Sequence, residues 1–161
     1  MAGCPDSRVR PRARDRGVDL SGDVPDPADQ PDGCSFHPRC HRVVPPEALD
    51  IDERTVRAVL DFRLALRDGD VAPEDFADAS AVRSEFGLGR ALSDPKAEGV
   101  LSEAALAVAA GDVETATTRL DGTFTSVCER EDPEFESTIA GHPAACLRVG
   151  NPIEAGETGP D

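Results

Sequence analysis

Between Asp50 and Leu120 the apolar positions recur at intervals of three and four, the spacing that lines one face of an α-helix. Val56, Val59, Leu60 and Leu64 share one such face, Asp50 and Glu53 stand ahead of it at capping-box spacing, and Gly69 supplies a stop. A second stripe, Phe76, Ala79, Val82 and Phe86, follows Pro73 as first helical residue and closes at Gly87. A third helix is expected from Ser93 or Asp94, just before Pro95, through Leu101, Ala104, Ala105 and Val108 to Gly111, with Gly99 weakening its first turn. Asp112 then caps a fourth bearing Val113, Ala116 and Leu120, so 94–120 predicts an antiparallel helical hairpin turning at Ala110 to Asp112. The stripes read as core, and the expected class is mainly α, with about four helices over 50–120.

The flanks lack this periodicity. Residues 1–32 are rich in Pro, Asp and Arg and read as an extended tail, and 149–161 read as a flexible one. Between them, 33–148 form the domain proper: two irregular loops that carry cysteines, one on each side of the helical block. Antiparallel helices return the chain near its start, so the block is expected to be a self-contained insertion with its ends together and the two loops side by side. On this reading, replacing it with a short Gly/Ser linker leaves the cysteine site intact.

Composition restricts the partners. The chain of 161 residues has 32 acidic and 17 basic residues, a formal charge of −15 that repels phosphate backbones and anionic membrane surfaces and disfavours nucleic acid. Lys96 is its single lysine, and an acidic balance of this kind suits a cytoplasm of high salt, as in a halophile. The basic run Ser7 to Arg16 has acidic neighbours and no aromatics for stacking, so it reads as a solvated segment. No stretch approaches the roughly 20 apolar residues of a membrane helix, and no signal peptide is recognisable. The expected location is the cytoplasm, with at most peripheral association at the inner face of the cell membrane. In a reducing compartment, metal or catalytic roles for cysteine outrank disulfides.

Cys4 near the start reads as incidental, which leaves four cysteines: Cys34 and Cys40 in the first loop, Cys128 and Cys146 in the second. Four thiolates suit an iron-sulfur cluster or a structural zinc, two disulfides have three connectivities, and unrelated thiols are a further alternative. The spacing matches no common zinc signature, in which paired ligands stand two to four residues apart. His37 and His142 can also ligate zinc. With four thiolates present, however, these histidines and Arg39 fit better as groups that hydrogen-bond sulfur or brace a loop. A thiol hydrolase lacks an identifiable orienting acid or oxyanion loop.

The segments "DGCSFHPRC", "CEREDPEF" and "GHPAAC" resemble the C-terminal extension of the ATP-binding subunits of oligopeptide and dipeptide ABC importers. The resemblance rests on Gly33, Cys34, Phe36, His37, Arg39 and Cys40, then Cys128, Glu131 and Pro133, then Gly141, His142, Ala145 and Cys146. It implies a [4Fe-4S] cluster on Cys34, Cys40, Cys128 and Cys146, and, as partners, the ATP-binding subunits and permease of a peptide importer. Two departures stand out. That family's second and third cysteines lie a few residues apart, whereas the helical block separates Cys40 from Cys128 here. The family's nucleotide-binding domain is also missing, since Lys96 follows Pro95 and no phosphate-binding G-x-x-x-x-G-K-[ST] loop occurs. The chain is therefore expected to be an accessory domain or fragment of such a subunit, with no ATP site and no enzymatic activity of its own. A stand-alone metal-binding interaction module is the alternative.

Overall fold

In a computed structural model, residues 30–137 and 143–149 are described, and they form a mainly helical protein. The expected tails over 1–29 and 150–161, with Cys4 and His142, lie outside the described residues. Four helices follow in order: α1 (Glu53–Asp68), α2 (Ala79–Glu85), α3 (Pro95–Ala109) and α4 (Val113–Phe124). Strands β1 (Phe135–Ser137) and β2 (Pro143–Ala145) then pair antiparallel, Phe135 opposite Ala145. Single 3-10 turns at His37–Arg39, Pro73–Asp75 and Val127–Glu129 complete the regular structure.

Helix starts follow the sequence with two differences. The cap of α1 is Asp52, whose carboxylate accepts from the Thr55 N–H at 2.9 Å, rather than Asp50. Asp50 is drawn elsewhere, because its N–H donates to Asp94 Oδ2 at 2.9 Å while Asp94 Oδ1 caps α3 through the N–H groups of Lys96 and Ala97. One aspartate thus starts α3 and pins the entry to α1. Pro73 begins only one 3-10 turn, since Phe76 is extended, and α2 starts at Ala79 under an Asp78 cap. Asp112 caps α4 through the Thr115 N–H, and Gly111, at a φ of 85°, makes the sharp turn between α3 and α4.

The main core lies between the helices and is built from Leu101, Ala104, Ala105 and Val108 of α3, Ala116, Leu120 and Phe124 of α4, Val82 of α2, and Val59, Phe62 and Leu66 of α1. Alanines at 104, 105 and 116 let α3 and α4 approach closely. The bulk comes from α1, where the Phe62 ring packs 4.5 Å from that of Phe86. Helix α1 also has a second buried face. Val56 and Leu60 pack with Val43 and Cys128 in a separate cluster, joined by the half-buried Cys34, Cys40, Leu64 and Leu147. The segments that lead into and out of the helical block meet, Ser126 Oγ donating to the Val44 carbonyl at 2.6 Å. The block is nevertheless wired to the cysteine loops through this second face of α1.

Candidate metal centre

The first loop is folded by its own backbone. His37 N–H donates to the Cys34 carbonyl at 2.8 Å and Cys40 N–H to that of His37 at 3.2 Å. Pro38 fits the turn because a ring-locked φ suits its first positions. The His37 ring is 5% exposed, and its Nδ1 lies 3.0 Å from the Cys34 carbonyl oxygen. A carbonyl can only accept, so Nδ1 carries the proton, and burial lowers the pKa of the ring below its ordinary value. His37 therefore braces the loop. His142 falls outside the described residues.

Helix α1 clamps this loop from below, where Arg57 Nη1 donates to the Cys40 carbonyl at 3.1 Å and to that of His37 at 3.4 Å, while its other nitrogens pair with Asp61. The second loop docks directly on the first, Cys34 N–H donating to the Cys128 carbonyl at 2.9 Å. Gly33 makes this approach possible. Its φ is 69°, and a Cβ there would meet the Cys128 carbonyl oxygen at 2.7 Å and the Arg130 nitrogen at 2.8 Å.

Cys128 sits within a capping box: the Ser126 hydroxyl accepts from Cys128 N–H at 3.1 Å, and Glu129 Oε1 accepts from Ser126 N–H at 2.8 Å. Ser126 Oγ in turn donates to the Val44 carbonyl at 2.6 Å, tying this turn to the segment after Cys40. Glu129 is buried and answered by Arg63, a fully buried α1 residue whose Nη1 lies 2.7 Å from it. The same guanidinium reaches Asp121, Thr125 and the Phe124 carbonyl. The fourth cysteine returns by way of the β hairpin. Beyond it, Arg148 donates to the carbonyls of Arg42 and Val43 and pairs with Glu53 at 2.7 Å.

Cys34, Cys40, Cys128 and Cys146 are all free thiols; Cys128 is buried, Cys34 and Cys40 are half-buried and Cys146 is exposed. Burial raises the Cys40 thiol pKa, the Arg42 N–H opposes that rise, and the neighbouring thiols of Cys128, Cys146 and Cys34 add to it. Among the described residues, no group of three or more His, Cys, Asp or Glu is arranged to hold a metal ion. The donor chemistry does fit an iron-sulfur cluster, which takes four cysteine thiolates. In the same loop, Arg39 Nε is buried without a hydrogen-bond partner among the described residues.

Sequence reasoning named the four cysteines and Arg39 but missed Ser126, Glu129, Arg57 and Arg63. The first two were readable, because S-x-x-E at 126–129 is a capping-box pattern. The arginines gave no signal, since an Arg on a helix ordinarily reads as solvent-facing.

Fold and site together define a small helical protein that packs the free cysteines Cys34, Cys40 and Cys128, from two distant segments, with Val56 and Leu60 of its first helix. The chain belongs to the family described as "Domain of unknown function (DUF8228)", whose model matches residues 51–141. That match takes in all four helices and Cys128 and leaves out Cys34, Cys40 and Cys146. No curated protein and no solved structure matches the chain. Among the described residues, no helix is long and apolar enough to cross a membrane.

Proposed function

We propose that the chain holds a [4Fe-4S] cluster on Cys34, Cys40, Cys128 and Cys146 and acts as an accessory domain of the ATP-binding subunit of an oligopeptide or dipeptide importer. The carrying observation is the convergence of the two cysteine loops, joined by the Cys34 to Cys128 backbone bond, across the whole intervening helical block. The importer assignment rests on the motif resemblance and the cluster assignment on the donor set. When bound, such a cluster supplies a rigid cross-link between the loops and a one-electron centre. The chain contributes four thiolates, the Arg57 clamp on the first loop and the Arg63–Glu129 pair beneath the second. Its place is the cytoplasmic face of a permease, beside intact ATP-binding subunits, and it has no ATP site of its own.

Anaerobic purification followed by metal and sulfide analysis tests the cluster: about four iron and four acid-labile sulfide per chain are expected. Replacing any of the four cysteines with Ser lowers that content, while Cys4→Ser leaves it unchanged. One zinc per chain without sulfide overturns the cluster and keeps a thiolate site, as a stand-alone metal-binding module requires. Free thiols without metal overturn both. Recovery of importer subunits with the tagged chain tests the partner assignment, and micromolar ATP affinity in calorimetry contradicts the absence of a nucleotide site.

A further inference from the structure

Away from the cysteines, two arginines line one cavity. It lies between the start of α1 and the segment that joins α2 to α3, has a volume of about 510 Å3, and presents Ile51, Ala58, Leu88 and Leu92 together with Arg54 and Arg90. The other arginines of the helices, Arg57, Arg63, Arg67, Arg83 and Arg119, each pair with a carboxylate. Arg54 and Arg90 make no ion pair among the described residues, although the chain has 32 acidic residues to 17 basic ones. The single carboxylate on the lining, Asp52, is occupied: its oxygens accept from the Thr55 N–H at 2.9 Å and the Thr55 hydroxyl at 3.0 Å. The walls are held by other groups. Arg83 donates to the carbonyls of Leu88 and Arg90, each at 2.8 Å, Leu92 N–H reaches Glu98 Oε2 at 2.8 Å, and the Ser93 hydroxyl donates to the Asp50 carbonyl at 3.3 Å. A preformed cavity of about 300–1,000 Å3, with an apolar lining and a few polar groups, is the usual form of a small-molecule site.

We propose that this cavity binds a small organic carboxylate, its apolar body against Ile51, Ala58, Leu88 and Leu92 and its head between Arg54 and Arg90. A guanidinium fork matches a carboxylate in shape and charge, and a ligand supplies here what the described residues do not. A phosphate head fits less well. Asp52 already takes the Thr55 N–H, a helix-start donor that a phosphate would use, and its charge opposes a dianion more than a single carboxylate. The cavity shares no lining residue with the cysteine loops, so the inference stands independently of the cluster reading.

The test is calorimetric titration of the full chain with decanoate below its micellar concentration, beside acetate, which lacks the apolar body, and decan-1-ol, which lacks the charge. Decanoate should bind at one per chain, and the other two about tenfold more weakly or worse. R54Q and R90Q should each weaken decanoate about fivefold, the worth of one partly exposed ion pair, and the double variant more than either. R119Q removes an arginine from an exposed pair elsewhere and should leave the affinity unchanged. Melting of the double variant should be no lower than wild type, because neither side chain is bonded among the described residues. Absence of saturable decanoate binding overturns the proposal, as does decan-1-ol or decyl phosphate binding as tightly as decanoate. Wild-type affinity in the double variant with intact helices, or equal weakening by R119Q, also overturns it. Should the double variant fail to fold, the comparison of probes on wild type still decides.

Discussion

At the scale of the residue, the site depends on a position with no functional group. Gly33 combines a left-handed φ with a Cβ direction that points into the backbone of the Cys128 turn. Gly33→Ala adds conformational strain of about 1–3 kcal/mol and also forces the two loops apart. The expected outcome is a lower denaturation midpoint and, for the proposed cluster, an iron content below that of wild type. Wild-type iron retention in Gly33→Ala would mean that the loops need not touch in the loaded protein. The glycine stood in the motif from the start. Its role did not, because a left-handed φ and a neighbour distant in sequence become visible only in three dimensions.

The elements are joined by arginines buried against carboxylates, and each join has its own signature. Arg63 of α1 faces Glu129 under the Cys128 turn, so Arg63→Met strands a buried carboxylate and is expected to cost about 3–5 kcal/mol. Adding Glu129→Gln should restore part of that loss, and a double-mutant cycle in chemical denaturation measures the coupling. Arg83 of α2 grips Glu98 of α3 at 2.6 Å and 3.1 Å, and Glu98 also accepts from the Leu92 N–H and Ser102 hydroxyl. Hydrogen bonding to Arg83, ahead of the other contacts, brings the Glu98 pKa down to about 2 from 4.5. A carboxylate whose folded pKa is depressed stabilises the protein fully above its unfolded pKa and loses that contribution as pH falls toward the folded one. The melting difference between wild type and Glu98→Gln should therefore be largest near neutral pH and shrink between pH 4.5 and about 2. A difference that does not change over that interval would show that the pair contributes nothing through charge.

On the scale of the whole molecule, the helical block and the cysteine loops share α1, and this changes the outcome expected for an excision. A Gly/Ser linker in place of 50–120 removes Val56 and Leu60 from over Cys128, Arg57 from the first loop and Arg63 from beneath Glu129. For the proposed cluster, iron binding at least tenfold weaker than wild type is expected, measured by competition with a chelator under anaerobic conditions. Undiminished binding would restore the block as a separable insertion. The sequence by itself determined the four helices, the caps of α3 and α4 and the α3–α4 hairpin. These rest on local periodicity, capping chemistry and residue type, which are properties of short stretches of chain. Tertiary structure alone decided that α1 is buried on two faces, that Asp94 captures Asp50 and shifts the α1 cap to Asp52, and that Arg57, Arg63 and Ser126 hold the loops in place. Each joins residues far apart in the chain, and a polar side chain carries no mark in the sequence of whether water or a distant partner will answer it.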